Sequence, residues 1–279
     1  MYYNLKTLIA IPIYNNYEVA LRTLDSCFID NCNQKVLISD NNSPDFCQNT
    51  RNLFENNPNV IFYRQSSNLG RTGNWNFCLN FFYNSHFNYF RFIFPGDLLS
   101  KDSISHCLNI FKRNDDVGVI VGRSIFVTKE NKFIIDSVPF KNVSCTFKTL
   151  IDSKLFPSNF LGSLNKVFFR KEMIQGLFFD KSFLGGHSFA NNLNQKYTIF
   201  YTTNVLSYFY VKYHSSFNKQ FTLEYNLEWS LNYIRGLSRI ENLSPIDKDD
   251  RSIYIILDLV IKFLKQYKFK IIRYFLNRF

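Results

Sequence analysis

The feature that most constrains this chain is an alternation. Short apolar runs, each closing on a polar cluster, are separated by stretches with helical spacing. Leu8–Ile13, Lys35–Ser39, Val60–Tyr63, Tyr89–Phe94 and Val117–Val121 are short and rich in β-branched or aromatic residues, and they read as buried strands. Asn16 stands where it caps a helix whose apolar face is Ala20, Leu24, Cys27 and Phe28, and Thr72–Phe82 reads as a helix with Trp75, Cys78, Leu79 and Phe82 inward. Strand and helix in turn predict an α/β fold: a Rossmann-like, mostly parallel, doubly wound sheet. Such sheets bind ligands at the carboxyl ends of their strands, which is where the polar clusters fall.

The pattern then changes. Ser124–Thr128 and Phe133–Asp136 suggest a hairpin around Lys129–Lys132, and Val167–Phe169 and Val205–Tyr213 suggest further strands. From about Phe221 the spacing is helical, with a break at Ser244-Pro245 and a long helix from about Asp250 onward. The expected organisation is a catalytic-type α/β domain over residues 1–218 and a helical C-terminal extension over residues 219–279.

Charge and cysteines narrow the class. The net charge is +11, and six of the basic residues (Lys262, Lys265, Lys268, Lys270, Arg273, Arg278) follow Asp258 with no acid among them. In the same stretch Leu257, Val260, Ile261, Leu264, Tyr267, Ile271 and Phe275 form an apolar stripe. A basic amphipathic helix either lies on an anionic membrane surface, here through residues 252–279, or packs its stripe on the domain and leaves the basic face solvated. No RNP, zinc-finger or helix-turn-helix pattern supports nucleic-acid binding. The six cysteines form no CxxC or zinc-ligand pattern and read as free thiols of a reducing compartment. Leu8–Ile13 is too short for a signal segment, and no uncharged run approaches the ~20 residues of a spanning helix. A cytoplasmic protein is expected, peripheral on the cytoplasmic face of the membrane if the tail binds lipid.

Four clusters carry chemistry. In Ile11-Pro12-Ile13-Tyr14-Asn15, a proline followed by a ring and an amide offers flat surfaces to a planar ligand. Asp40, after the second strand, either accepts an N–H from a base or closes an Asx-turn within Asp40-Asn41-Asn42-Ser43-Pro44. The loop containing Asn68, Gly70 and Arg71 opens a helix, and a helix N-terminus with a forked cation suits a diphosphate, although this is neither a Walker loop nor a GxGxxG motif. Asp97, after the fourth strand, is a candidate ligand for Mg²⁺ or Mn²⁺.

In this order the four clusters resemble family 2 glycosyltransferases, the inverting GT-A group, particularly bacterial members that build surface polysaccharides such as lipopolysaccharide O-antigen or capsule. The I-P-x-Y-N run matches Ile11 to Asn15, D-[ND]-x-S matches Asp40 to Ser43, N-x-G-x-x-x-N matches Asn68, Gly70 and Asn74, and the metal motif ends at Asp97. The resemblance spans about Leu8 to Ser216. It implies a nucleotide-sugar donor of UDP or dTDP type, with Asp40 at the base, Pro12, Tyr14 and Asn15 around the nucleoside, and Arg71 near the diphosphate. It also implies a glycine loop, Leu161-Gly162-Ser163, near the donor sugar, a divalent cation on Asp97 and His214, and a glycan or polyprenyl-linked acceptor.

Two departures stand out. A D-x-D-D motif here reads Phe94-Pro95-Gly96-Asp97, so that only its last acid survives, which implies weaker dependence on metal. The stretch that should supply the general base, Phe183 to Ala190, has no carboxylate, and its titratable group is His187. Asp180 ranks behind it. His187 is therefore the candidate base. The alternative is a catalytically inactive GT-A-like scaffold or binding subunit.

Overall fold

Two apolar faces on one sheet organise the chain. Leu8 and Ala10 of the first strand join one buried cluster, and Ile9, Ile11 and Ile13 join the other. That division follows from the two-residue period of an extended strand buried on both sides. The computed structural model describes residues 6–15, 17–30, 32–46, 48–127, 133–135, 138–153, 160–180, 189–210 and 213. The Asn16 cap, the Lys129–Lys132 turn, His187, His214 and the whole 219–279 extension lie outside them.

The strands are β1 (Thr7–Ile13), β2 (Gln34–Asp40), β3 (Val60–Arg64), β4 (Tyr89–Phe92), β5 (Leu98–Leu99), β6 (Val117–Val127), β7 (Phe133–Ile135), β8 (Val143–Cys145), β9 (Val167–Arg170) and β10 (Thr198–Tyr210). They form one mixed sheet in the order β3-β2-β1-β4-β9-β6-β10-β5, with β7 on β6 and β8 on β10. The long ladders, β1–β2, β2–β3 and β6–β10, are parallel. Strand β9 runs antiparallel between β4 and β6. The predicted α/β fold with a mostly parallel sheet is therefore present, with a reversed strand at its centre.

The helices cover both faces. Helix α1 (Tyr17–Ser26) and α4 (Ser103–Arg113) sit on the Ile9 face, while α3 (Gly70–Tyr83) and α5 (Phe147–Asp152) sit on the Leu8 face. Helices α2 (Gln48–Glu55) and α6 (Lys171–Ile174) complete the set. The inward face expected for α3 is observed at Cys78, Leu79 and Phe82, all fully buried, with Trp75 packed against the same cluster. Helix α4 begins after Asp102, whose φ of 62° and lack of a side-chain bond deny it the usual capping role. Asp30 caps it from a distance instead, accepting from the backbone N–H groups of Ile104 (2.7 Å) and Ser105 (3.1 Å).

Three expectations shift. The fourth strand ends at Phe92 rather than Phe94. Of the strand expected over Ser124–Thr128, Ser124–Val127 is the continuation of β6, which then pairs antiparallel with β7 as expected for the hairpin. The strand expected from Val205 begins at Thr198, and irregular register around Tyr201–Ser207 interrupts its alternation. The five described cysteines are free, and no helix among the described residues is long and apolar enough to cross a membrane.

Candidate functional site

The carboxyl ends of β1, β2 and β3 stop level with one another: Ile13 is the register partner of Asp40, and Asp40 of Arg64. Pro12 lies inside β1, buried, with the β1–β2 ladder continuing through Ile13. Alternate residues of a parallel strand bond to alternate neighbours. Ala10 accepts from Ile93 on the β4 side and Ile13 from Asn41 on the β2 side, so the missing N–H of Pro12 falls on the β4 side, just past the last β1–β4 pair. The proline thus ends one ladder and spares the other. Tyr14 follows with its ring half exposed. Asn15 has φ 59° and donates its N–H to Ser43 Oγ at 2.7 Å.

Asp40 is fully buried and engaged on both oxygens. Oδ1 accepts from the N–H and hydroxyl of Ser43, and Oδ2 accepts from Arg64. Arg64 also donates to Ser43 O (3.0 Å) and Asn42 Oδ1 (2.8 Å) and stacks over Phe46. Arg64 therefore supplies the countercharge to a carboxylate taken out of water. The same pocket holds Tyr17, whose hydroxyl is pushed up to about 12, chiefly by burial. The Asx-turn reading of Asp40-Asn41-Asn42-Ser43 is realised. A base N–H reaches Asp40 only if Arg64 or the Ser43 turn shifts.

The Asn68, Gly70, Asn74 cluster is a latch. Asn41 donates to Asn68 Oδ1 (2.9 Å) and Gly70 O (3.2 Å) and accepts from Leu69 N–H (2.8 Å), while Gly70 N–H donates to Asn68 Oδ1 (2.8 Å). Asn74, buried on the first turns of α3, donates to Ser39 O (2.9 Å) and Ile13 O (3.4 Å) and accepts from Ser39 Oγ. These amides bolt the start of α3 to the ends of β1 and β2. The latch leaves Arg71 on the exposed first turn, with its guanidinium over the Trp75 ring and no hydrogen bond or ion pair among the described residues. Trp75 in turn packs on Phe94, where the chain turns toward Asp97. Arg71 and the Asp97 turn are therefore linked through two rings.

Asp97 is fully buried immediately before β5. Its Oδ2 accepts from Asn165 Nδ2 (2.9 Å) and its Oδ1 from Tyr210 N–H (3.3 Å). Gly96 has φ 96°, and a Cβ there would lie 2.5 Å from the Tyr213 ring. Only glycine permits both the turn and the close approach. Tyr213 also accepts from Arg22 at 3.2 Å. Gly162, at φ 67°, lies in a loop where a Cβ would meet the buried Lys166 side chain at 2.6 Å. Phe179, next to Asp180 in sequence, is held in place by a reciprocal pair with the Asn76 amide, both bonds 2.8 Å, and its ring packs edge-on to Trp75.

Among the described residues no group of three His, Cys, Asp or Glu side chains is assembled. The residues present nevertheless suit a weakly held cation. Magnesium-type sites commonly take one or two carboxylates and complete their shell with water and substrate phosphates. Asp97 supplies the carboxylate, and beside it Asn165 Oδ1 is a buried oxygen without a hydrogen-bond partner.

The comparisons agree with this architecture. The Glycosyl transferase family 2 model matches residues 8–178, and the chain belongs to that family. The crystal structure of S. aureus TarS 1-349 is similar at TM-score 0.68 and 15% identity, over 95% of this chain and 74% of that one. Its complex with UDP-GlcNAc is similar at TM-score 0.69 and 15% identity, over 90% and 71%. The mannosyltransferase PcManGT from Pyrobaculum calidifontis, in complex with GDP-Man and Mn2+, is similar at TM-score 0.56 and 12% identity, over 92% and 70%. At these identities the likeness is one of fold. No curated protein matches the chain by sequence.

Proposed function

We propose that the protein is an inverting glycosyltransferase that moves a sugar from a UDP- or dTDP-type donor to a hydroxyl of a glycan or polyprenyl-linked acceptor, in bacterial surface-polysaccharide synthesis. The observation that carries the donor half is the gathering of Tyr14, Asp40, Arg71 and Asp97 along the carboxyl edge of β1, β2 and β4 and the start of α3. Family membership and the nucleotide-sugar complexes of two proteins of similar fold support it. Tyr14 and Asn15 flank the nucleoside, Asp40 with Arg64 meets the base, and Arg71 meets the diphosphate. Asn68 and Gly70 act by holding Arg71 in place, and the Gly162 loop borders the donor sugar.

Asp97, with His214 as second ligand, would hold the cation, which when bound neutralises the leaving diphosphate. His187 takes the acceptor proton, since an imidazole titrates near neutral pH and the family's carboxylate is replaced. Residues 219–279 form the helical extension, and its basic stretch 252–279 meets the membrane surface.

The test is calorimetric titration with UDP, dTDP and GDP, with and without Mn²⁺, on the wild type and on Asp40→Ala and Asp97→Ala. Metal-assisted binding of one nucleotide, weakened by both substitutions, is expected. No binding by folded protein would replace this reading with the scaffold alternative. His187→Ala then tests the base through turnover.

A further inference from the structure

Two residues outside every sequence motif form a hydrogen-bonded chain that ends at Asp97. Arg91 lies on β4 and is fully buried, and its Nη2 donates to the backbone carbonyl of Asn165 at 2.7 Å. Among the described residues its Nε and Nη1 have no hydrogen-bond partner and no carboxylate forms an ion pair with it. Burial lowers its pKa, opposed only by the more distant Cys107, Cys27 and Asp30. A buried guanidinium with unmet donors is costly, and one apolar residue of similar size would fill the space more cheaply. What the arginine supplies is a strong, rigid anchor on Asn165.

Asn165 is also fully buried, in the 3-10 turn Leu164–Lys166 that leads into β9. Its Nδ2 donates to Asp97 Oδ2, while Tyr210 N–H donates to Oδ1. Donors from the 3-10 turn and from β10 therefore hold the two oxygens of one carboxylate, which blocks its rotation. The unpartnered Asn165 Oδ1 stands next to that carboxylate, a third unmet polar atom in a site where such atoms need a reason.

We propose that Asn165, anchored by Arg91, is a positioning residue that orients the Asp97 carboxylate toward a divalent cation shared with the donor diphosphate. The proposal rests on the donor-site reading above. A cation site tolerates little error in ligand direction, and a carboxylate free to rotate presents the wrong lone pair for part of the time.

The experiment reads the gain in nucleotide affinity that Mn²⁺ confers: the Kd for UDP, dTDP or GDP in EDTA divided by that in saturating Mn²⁺. Asn165→Ala is expected to cut this gain about tenfold while leaving the EDTA value within about twofold. Asp97→Asn is expected to abolish the gain, and adding Asn165→Ala to it to change nothing further. Should Asn165→Ala fail to fold, as judged by melting, Asn165→Ser puts the same question with a smaller loss. Equal weakening in EDTA and in Mn²⁺ would assign Asn165 a purely structural role and overturn the proposal. So would an unchanged gain, or a wild type that binds nucleotide with no Mn²⁺ gain, and each of these leaves the donor site standing. No nucleotide binding at all overturns both readings.

Discussion

Tyr210 donates its backbone N–H to the Asp97 carboxylate over 3.3 Å, which joins the end of β10 to a turn 113 residues earlier. The same closure brings the Tyr213 ring onto Gly96. Gly96→Ala must then accept both a φ of 96° and a clash at 2.5 Å. Gly176, at φ 79°, meets nothing within 4 Å, so alanine there carries the backbone strain alone. We expect Gly176→Ala to cost about 1 kcal/mol and Gly96→Ala at least twice that, about 2 kcal/mol or more. Chemical denaturation of the two variants side by side checks the order.

Asn74 offers a second test, because its amide replaces a missing ladder between α3 and the strands. Asn74→Ala leaves the Ser39 and Ile13 carbonyls without this donor in the interior. The expected loss is about 2–3 kcal/mol, with a matching fall in urea midpoint and little change in its slope. An effect below about 0.5 kcal/mol would mean that α3 is held by its apolar face alone.

Arg64 and Asp40 form an ion pair at the carboxyl ends of β2 and β3. Arg64→Ala strands the carboxylate and is expected to cost about 3 kcal/mol. Arg64→Lys keeps the charge and loses the fork that reaches Asp40, Ser43 and Asn42 together, so it should recover only part of that loss. Melting of both variants measures the difference. Full rescue by lysine would show that charge alone matters there.

How far the sequence reveals this structure depends on the range of the signal. β1, β2, β3 and α3 are legible because their periodicity is local and their ends carry polar punctuation, as at Asp40 and Gly70. Helix α4 carries Ile104, Cys107, Leu108 and Phe111 at helical spacing, a readable stripe masked by the Lys101-Asp102 start and by a cap that comes from Asp30. β10 is obscured by the irregular register around Tyr201–Ser207, which breaks its two-residue alternation. The site divides the same way. Tyr14, Asp40, Arg71 and Asp97 sit in motifs, whereas Arg64, Arg91 and Asn165 stand outside the four motif clusters. Their meaning lies in partners 24, 74 and 68 positions away.

Alkaline pH should loosen the fold through its buried thiols. Burial pushes Cys27, Cys78 and Cys107 up to about 12 from 9.0, and Tyr17 to about 12 from 10.0. Between those limits the unfolded chain has released protons that the folded chain retains. Stability is therefore intact below about pH 9 and falls as pH rises toward 12. Melting temperature measured from pH 7 to 11 should drop progressively over the upper half of that range, and Cys107→Ala should flatten part of the slope. A level profile would mean that the thiols are reached by water without unfolding.

Arg71 separates binding from folding. Its guanidinium is exposed at the start of α3, stacked on Trp75 and otherwise without a partner among the described residues. Arg71→Ala should leave stability within about 0.5 kcal/mol, as expected for a surface side chain outside any network. If the residue meets the diphosphate, the same substitution weakens nucleoside diphosphate binding about tenfold at low salt, from the loss of one charge-assisted contact. The deficit narrows as salt screens an exposed charge. The nucleoside, which lacks the phosphates, should bind wild type and variant alike. Titrating both with UDP and uridine at two salt concentrations gives the wild-type-to-variant ratio for each ligand at each salt. A loss of uridine affinity as large as that for UDP would place Arg71 at the base rather than at the phosphates, and no loss for either would remove it from the site.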